Sequence, residues 1–183
     1  RERRHYRELL AFISPIETKA AEKAGTKSVA HGFIQGRSPV TCALAHVGPW
    51  DVTISCDISS WFDSVRKEQI VDGLILGGMS PETAEEISRQ ITIEGAPKQG
   101  LPTSPTAANL AAIKMDSLIL QRLPKESMYT RYADDLIVSL ATCDQTYVCR
   151  VSMISESAQK IWVGFSLTLK PVSNMPEVED AES

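Results

Sequence analysis

Apolar and polar residues alternate in several short runs of the chain, and this period of two is typical of β-strands. The clearest run, residues 52–56, predicts a strand that ends at Asp57. Residues 127–132 and 136–140 predict two more strands separated by a short polar turn, and residues 165–169 predict a last one. The pattern predicts one small sheet built from a single strand, a hairpin and an edge strand.

Other apolar positions recur every three to four residues, which predicts helices. The predicted helical segments are residues 6–24, 68–76, 80–91, 104–118 and 144–162, with residues 31–38 as a glycine-containing loop. We expect an interruption of the first segment near Pro15, because proline cannot donate a backbone hydrogen bond. Ser80-Pro81 and Ser104-Pro105 are start signals, with a serine cap before proline. Helices packed on one face of the sheet predict an α+β layer.

Composition adds only limits to this picture. The 183 residues suffice for one domain, and the apolar runs are too short to span a bilayer. The four cysteines lack the spacing of a zinc site or a disulfide framework, so we expect a soluble, cytoplasmic chain with free thiols. The formal net charge of −4 argues mildly against the chain binding a nucleic-acid duplex alone.

Two adjacent carboxylates, Asp134 and Asp135, lie in the turn between the strands of the predicted hairpin. Their repulsion is costly unless a cation offsets it, and Mg²⁺ is commonly held by one or two carboxylates together with substrate phosphates. Aspartate is also a common turn residue. A solvated hairpin turn therefore explains this pair about as well as a metal site.

Asp57 changes that balance because it ends a second strand. If its strand ran parallel to its neighbour in the sheet, its carboxylate would lie beside Asp134. Three carboxylates from two strands suit two-metal phosphoryl transfer, in which one ion activates a 3′-hydroxyl and the other stabilises the leaving pyrophosphate. Taken alone, Asp57 is more simply explained as a helix cap or a turn residue.

A glycine-containing loop, residues 99–103, leads into the helix predicted from Ser104. A glycine in such a loop lets a base pair approach the backbone closely. A plain connection before a helix would explain the Ser-Pro start signal but not the other residues of the loop.

In chain order these segments resemble motifs A, B and C of reverse transcriptases of the retron and related bacterial, group II intron-like type. Asp57-Ile58-Ser59-Ser60-Trp61-Phe62-Asp63 is similar to motif A, residues 99–105 to motif B, and Tyr132-Ala133-Asp134-Asp135 to motif C. Residues 165–170 resemble motif D. Upstream, residues 31–38 resemble a His-Gly-Phe-x-x-Gly-Arg-Ser block, and residues 42–46 resemble an Asn-Ala-x-x-His element in which Cys42 replaces the asparagine.

The resemblance implies a polymerase palm with an antiparallel, ferredoxin-like sheet, RNA-directed DNA polymerase activity, and two Mg²⁺ ions, or Mn²⁺ in their place, as cofactor. It implies that Asp57, Asp134 and the backbone carbonyl of Ile58 hold the metals and that Asp135 assists. It places Phe62 at a steric gate, where an aromatic ring excludes a ribose 2′-hydroxyl and so favours dNTPs. A core phenylalanine after a strand is the structural alternative.

The resemblance further implies that Gln99 and Gly100 contact the nucleotide or the template, and that Arg37 contacts phosphate or template. Lys170 is implied to be the general acid that protonates pyrophosphate. An isolated lysine on an edge strand is otherwise a solvated surface residue, and His46 is expected to be structural.

The same resemblance divides the chain into a helical remnant of the fingers region over residues 1–30, the palm over residues 31–171 and an acidic, disordered tail over residues 172–183. Residues 1–30 lack a Lys-x-Gly-x-x-Arg-like pattern that would grip the triphosphate, and only thirteen residues follow Lys170, where the family continues into a thumb. We therefore expect further protein segments or chains, besides an RNA template, a DNA or RNA primer and dNTPs, as partners. A fragment, a split enzyme and a degenerate copy all remain open.

Two other functions remain open beside a retron-like or antiviral-defence polymerase. An RNA-dependent RNA polymerase shares the palm, although Phe62 and Ala133 argue against it. A palm that acts as a non-catalytic scaffold would explain the missing fingers and thumb but not the retained aspartates.

Overall fold

The structure, a computed structural model, describes residues 2–141 and 170–171. The helices are α1 (Glu2–Lys23), α2 (Pro39–Ala45), α3 (Trp61–Ser64), α4 (Lys67–Leu76), α5 (Pro81–Ile91) and α6 (Ser104–Arg122). The strands are β1 (Val52–Asp57), β2 (Ser127–Tyr132), β3 (Asp135–Leu140) and β4 (Lys170–Pro171). No helix among these residues is long and apolar enough to cross a membrane.

The strands form one sheet in the order β2-β3-β1-β4, and each neighbouring pair is antiparallel. This confirms the predicted α+β architecture and the positions of β1, β2 and β3. The predicted helix at 144–162 and the predicted strand at 165–169 lie outside the described residues, as does the tail at 172–183. The short β4 directly follows that predicted strand.

Of the two helix starts predicted from a Ser-Pro pair, one is confirmed and the other is displaced by one residue. The Ser80 hydroxyl accepts a hydrogen bond from the Thr83 amide at 3.3 Å, so α5 begins at the predicted cap. The prediction that Ser104 caps α6 is wrong, since Thr103 occupies the cap position. The Ser104 hydroxyl instead donates to the Lys98 carbonyl at 2.6 Å, which ties the preceding loop to the helix.

The predicted interruption of the first helix at Pro15 is also wrong, because α1 continues through this residue. Proline loses one backbone hydrogen bond inside a helix, but tertiary packing usually contributes more to a helix than local propensity does. One face of α1 packs against α4 and α6, and its Ile13 and Ala20 are fully buried there. Helix α1 therefore shares one hydrophobic core with α4 and α6.

The two faces of the sheet differ in what covers them. Cys56, Tyr129 and Val138 lie on the face that α6 covers, and all three are buried. The opposite face is partly covered by α2, which was not predicted and which packs against β2.

A polar cluster joins α2 to that opposite face. Nδ1 of His46 lies 2.8 Å from the Ser139 hydroxyl, and its Nε2 lies 2.7 Å from the Thr130 hydroxyl. Cys42 Sγ lies 3.1 Å from the same Thr130 hydroxyl. Burial, with a smaller contribution from His31, lowers the pKa of His46. Both ring nitrogens are engaged with the sheet, which agrees with the structural role expected for His46.

Glu17 is an acidic residue on the buried face of α1, with only 7% of its surface exposed. Burial raises its pKa from an ordinary 4.5 to about 7, although the positive charge of Arg131, a hydrogen bond with Asn109 and the charge of Arg37 oppose that rise. The native state therefore holds a proton on Glu17 in a pH range where the unfolded chain releases it.

The replacement Glu17→Gln tests this linkage. Because the native pKa is the higher one, ionisation of Glu17 destabilises the fold as the pH rises from 4.5 to about 7. We expect the variant to match the original chain at pH 4 and to exceed its free energy of unfolding by up to about 3 kcal/mol at pH 8. Denaturant unfolding at both pH values measures the difference, with Glu8→Gln on the exposed side of α1 as the control. A gain that is equal at the two pH values would contradict this prediction.

Candidate functional site

The site is built around the hairpin of β2 and β3, whose connection is the dipeptide Ala133-Asp134. Ala133 has a φ of 55°. A two-residue hairpin loop requires a positive φ at its first position, so that its twist matches the strands. The conformation is costly for a residue with a side chain, and it needs support from the surroundings. It holds Asp134 at the tip of the turn.

Asp57 lies opposite Asp135 in the antiparallel pairing of β1 with β3. The prediction of a parallel neighbour for the strand that ends at Asp57 is therefore wrong, and Asp135 is its direct partner. The Ile58 amide donates to the Asp134 carbonyl at 3.1 Å, which makes Asp57 and Asp135 a non-hydrogen-bonded pair, the kind in which side chains approach most closely. Like charges in such positions repel each other unless a cation lies between them.

The carboxylates suit a hard divalent cation that is held only in part by protein. Within the part of the chain that the structure describes, no group of three or more His, Cys, Asp or Glu side chains is arranged to hold a metal ion by itself. Mg²⁺ commonly takes one or two carboxylates and completes its shell with water and substrate phosphates. The pair of Asp57 and Asp135, with Asp134 next to it in the chain, fits such a substrate-dependent site and not an all-protein cage.

A cleft of about 630 Å³ opens beside the turn. Its lining brings together Phe62 from α3, Gln99 from the loop before α6, and Asp134 from the hairpin. Gly100 is exposed next to Gln99 with a φ of 96°, and a Cβ atom built on it would meet nothing within 4 Å. The backbone of this loop is therefore open to a close approach.

Two other predicted site residues lie elsewhere. Arg37 lines a separate cavity of about 660 Å³, which Glu17 and Asn109 also line, and its guanidinium donates to the Ala30 carbonyl. Lys170 is described only by its backbone, which pairs with Ser55 on β1, two residues before Asp57.

Two further residues, Phe33 and Lys98, line the cleft although no role was predicted for them from the sequence. The Lys98 ammonium lies 3.9 Å from the Asp63 carboxylate, and its side chain is 40% exposed. The position of Lys98 directly before Gln99 could have indicated a role, because a lysine beside a loop that is expected to contact the nucleotide can bind its phosphates. Phe33 belongs to the His-Gly-Phe block of residues 31–38, in which a role is predicted for Arg37 alone.

A buried ion pair supports the turn from below. The Arg131 and Asp116 side chains are only 1% and 2% exposed, and the guanidinium Nη2 lies 2.9 Å from the carboxylate. The Tyr129 hydroxyl donates to the same carboxylate at 2.8 Å, and the Arg131 guanidinium also lies 5.2 Å from the centroid of the Trp61 ring. Every partner that this charge needs is thus supplied inside the core.

The same guanidinium holds the turn. Its Nη1 donates to the Ala133 carbonyl at 3.0 Å and to the Asn109 side chain at 3.2 Å. Asn109 in turn donates to the Gly32 carbonyl at 3.1 Å. A Cβ atom on Gly32 would lie 2.4 Å from the Ala133 nitrogen, so only glycine allows this approach. The network therefore fixes both the strained turn and the loop packed against it.

Comparison with known proteins places this geometry in a family. The family model for reverse transcriptase (RNA-dependent DNA polymerase) matches residues 5–171. The chain belongs to the reverse transcriptase family. This confirms the resemblance to reverse transcriptases that was drawn from the ordered motifs.

Among the relatives of the chain are retron reverse transcriptases. It is 32% identical over 159 residues to the retron Mx162 reverse transcriptase of Myxococcus xanthus, covering 75% of this chain and 32% of that protein. It is 25% identical over 150 residues to the retron Ec86 reverse transcriptase of Escherichia coli, covering 81% and 47% respectively. The chain thus spans about a third to a half of the length of these relatives.

A solved structure supports the fold alone. Apo telomerase from Candida tropicalis, truncated from its C-terminal domain, superposes with a TM-score of 0.59 at 12% sequence identity. The match covers 89% of this chain and 41% of the telomerase chain. It agrees with the α+β polymerase palm seen in the sheet and in the helices packed on it.

The replacement Asp116→Asn tests the support beneath the turn. It keeps the shape of the side chain but leaves the Arg131 charge buried without its counter-ion, so we expect the free energy of unfolding to fall by about 3–5 kcal/mol. Denaturant unfolding measures the loss. Asp72→Asn is the matched control, because the Asp72 carboxylate is 63% exposed and forms a long surface ion pair of 3.9 Å with Lys114. We expect this control to change the free energy of unfolding by less than about 0.5 kcal/mol.

A double replacement of the pair, Asp116→Leu with Arg131→Met, separates charge from packing. Apolar residues of similar volume can replace a buried ion pair without loss, so we expect most of the stability to return. A single Asp116→Asn variant as stable as the original chain would contradict the role given to the ion pair.

Proposed function

We propose that this chain carries the palm of an RNA-directed DNA polymerase that extends a primer with dNTPs. The observation that carries the proposal is the cleft that unites Phe62, Gln99 and Asp134 beside the paired carboxylates of Asp57 and Asp135. Membership of the reverse transcriptase family supports it. The proposed regions are the helical segment over residues 1–30, the palm over residues 31–171 and the acidic tail over residues 172–183.

The three aspartates are proposed to hold Mg²⁺, or Mn²⁺ in its place, together with the backbone carbonyl of Ile58. When bound, two such ions would activate the primer 3′-hydroxyl and neutralise charge on the transferred phosphate and on the leaving pyrophosphate. The contribution of the protein is placement, since phosphoryl transfer depends almost entirely on positioning and electrostatics. The supported turn gives Asp134 that fixed position.

The other residues of the cleft are proposed to select and orient the nucleotide. Phe62 excludes a 2′-hydroxyl from the sugar pocket, so the cleft favours dNTPs over NTPs. Gln99 contacts the incoming nucleotide or the template, and the open backbone at Gly100 admits the base pair. Lys98 faces the same cleft and offers a positive charge to the phosphates.

Two further assignments depend more on the family than on the cleft. Lys170 is proposed to protonate the leaving pyrophosphate, which is supported by the pairing of its backbone with β1 near Asp57. Arg37 is proposed to contact template or phosphate, although it lies in the cavity on the other side of Phe33.

An RNA template, a DNA or RNA primer and further protein segments or chains are proposed as partners. A protein holds a primer-template duplex mainly through contacts of basic side chains with the phosphates. The formal net charge of −4 indicates that this chain offers few such contacts by itself. The names of the relatives support a retron-like setting for this palm, and a role in antiviral defence is the biological function we propose with it.

Replacement of Asp134 tests the metal-dependent step. We expect Asp134→Ala, in the longest reading frame that contains this chain, to lower primer extension by at least about 100-fold, because a bound metal contributes several kcal/mol to such a reaction. Extension of a labelled primer on an RNA template measures the loss, and Asp72→Ala on the exposed face of α4 is the control. Undiminished extension by Asp134→Ala would refute the proposal.

Replacement of Phe62 tests which sugar the cleft selects. We expect Phe62→Ala to lower the ratio of dNTP to NTP incorporation by about tenfold or more, because the ring no longer fills the space beside the 2′-carbon. Single-nucleotide extension with each substrate gives the ratio. A preference for NTPs in the original chain would indicate an RNA polymerase instead. Calorimetry that detects binding of neither Mg²⁺ nor dNTP would indicate a scaffold.

A further inference from the structure

Phe33 is a large aromatic side chain that the proposed reaction has not yet used. It is 53% exposed, so burial of its ring in the core does not explain its position. Its φ is 62°, a conformation that is rare and costly for a bulky residue. A strained backbone that presents an exposed ring is a common sign of a functional constraint.

The loop that carries Phe33 is held by the same contacts that hold the catalytic turn. The His31 amide donates to the Arg131 carbonyl at 2.7 Å, and the Gly32 carbonyl accepts from Asn109 at 3.1 Å. Gly32 itself packs against the Ala133 nitrogen. The placement of Phe33 relative to Asp134 is therefore set by the core and not by its own side chain.

From this position the ring of Phe33 reaches the ring of Phe62. Their centroids are 6.5 Å apart with an interplanar angle of 47°, which is within the range of a favourable aromatic pair. Both rings line the cleft that Gln99 and Asp134 also line. Phe62 is half-buried and belongs to the four-residue helix α3, which begins after Ser60 at a φ of 52°. A helix this short gives its side chains little rigidity of its own.

We propose that Phe33 is a positioning residue for sugar selection, whose ring holds the ring of Phe62 at the edge of the cleft. The inference rests on the proposed function, because it assumes that Phe62 acts as the gate against the 2′-hydroxyl. The gate is then a pair of rings from two distant segments of the chain. Discrimination depends on both rings, since a gate ring that can turn away no longer excludes the larger sugar.

The test uses Phe33→Ala and Phe33→Leu in the longest reading frame that contains this chain. Single-nucleotide extension on an RNA template gives kcat and KM for a dNTP and for the matching NTP. We expect the dNTP to NTP ratio of kcat/KM to fall by roughly tenfold in both variants, chiefly through better use of the NTP. Phe33→Tyr keeps the ring and is expected to restore the ratio.

Two matched variants make the result specific. Phe12→Ala removes an equally exposed phenylalanine, 51% exposed on α1 and outside the cleft lining, and we expect it to leave the ratio unchanged. The double variant Phe33→Ala with Phe62→Ala is expected to lose no more discrimination than Phe62→Ala alone, because the two rings act as one unit. Thermal unfolding of each variant verifies that the fold is retained.

Three results would overturn the inference. One is an unchanged ratio in Phe33→Ala and Phe33→Leu while Phe62→Ala lowers it. Another is an equal rise of KM for both nucleotides, which would make Phe33 a stacking surface for the base. A third is additive loss in the double variant. Failure of the proposed function itself is distinguishable, because Asp134→Ala would then leave extension unchanged.

Discussion

The buried ion pair between Arg131 and Asp116 is the interaction on which the site depends. A guanidinium inside a hydrophobic core is tolerated only when each of its donors has a partner, and breaking such a pair costs far more than a surface bridge contributes. Here the partners are the Asp116 carboxylate, the Asn109 side chain and the Ala133 carbonyl. Satisfying one charge therefore ties the sheet, helix α6 and the Ala133-Asp134 turn into one unit.

Strand alternation places this buried ion pair and the two facing carboxylates on opposite faces of the sheet. Arg131 lies opposite Leu136 on the face that α6 covers, whereas Asp57 and Asp135 lie opposite each other on the other face of the sheet. On the first face the Arg131 and Asp116 charges are buried and paired with each other. The second face carries the facing carboxylates of Asp57 and Asp135, which are proposed to hold a metal ion. The same hairpin thus takes part in the buried support on one face and in the proposed metal site on the other.

Local signals in the chain were sufficient for much of the fold. The period-two runs located β1, β2 and β3, and the Ser80-Pro81 pair located the start of α5, because each depends on neighbouring residues alone. The ordered motifs identified the family, and three of the residues they singled out, Phe62, Gln99 and Asp134, line one cleft. Continuity of α1 through Pro15 was not predictable, since packing of Ile13 and Ala20 outweighs the local cost of proline.

The sequence by itself determined the strands, the carboxylates at their ends and the family to which the chain belongs. Only the tertiary structure decided that β1 runs antiparallel to β3, which sets Asp135 and not Asp134 opposite Asp57. It also decided that Phe33 meets Phe62 and that Arg131 supports Ala133. The reason is physical: spacing along a chain fixes which face a side chain takes, whereas strand direction and contacts between distant segments depend on how the whole core packs.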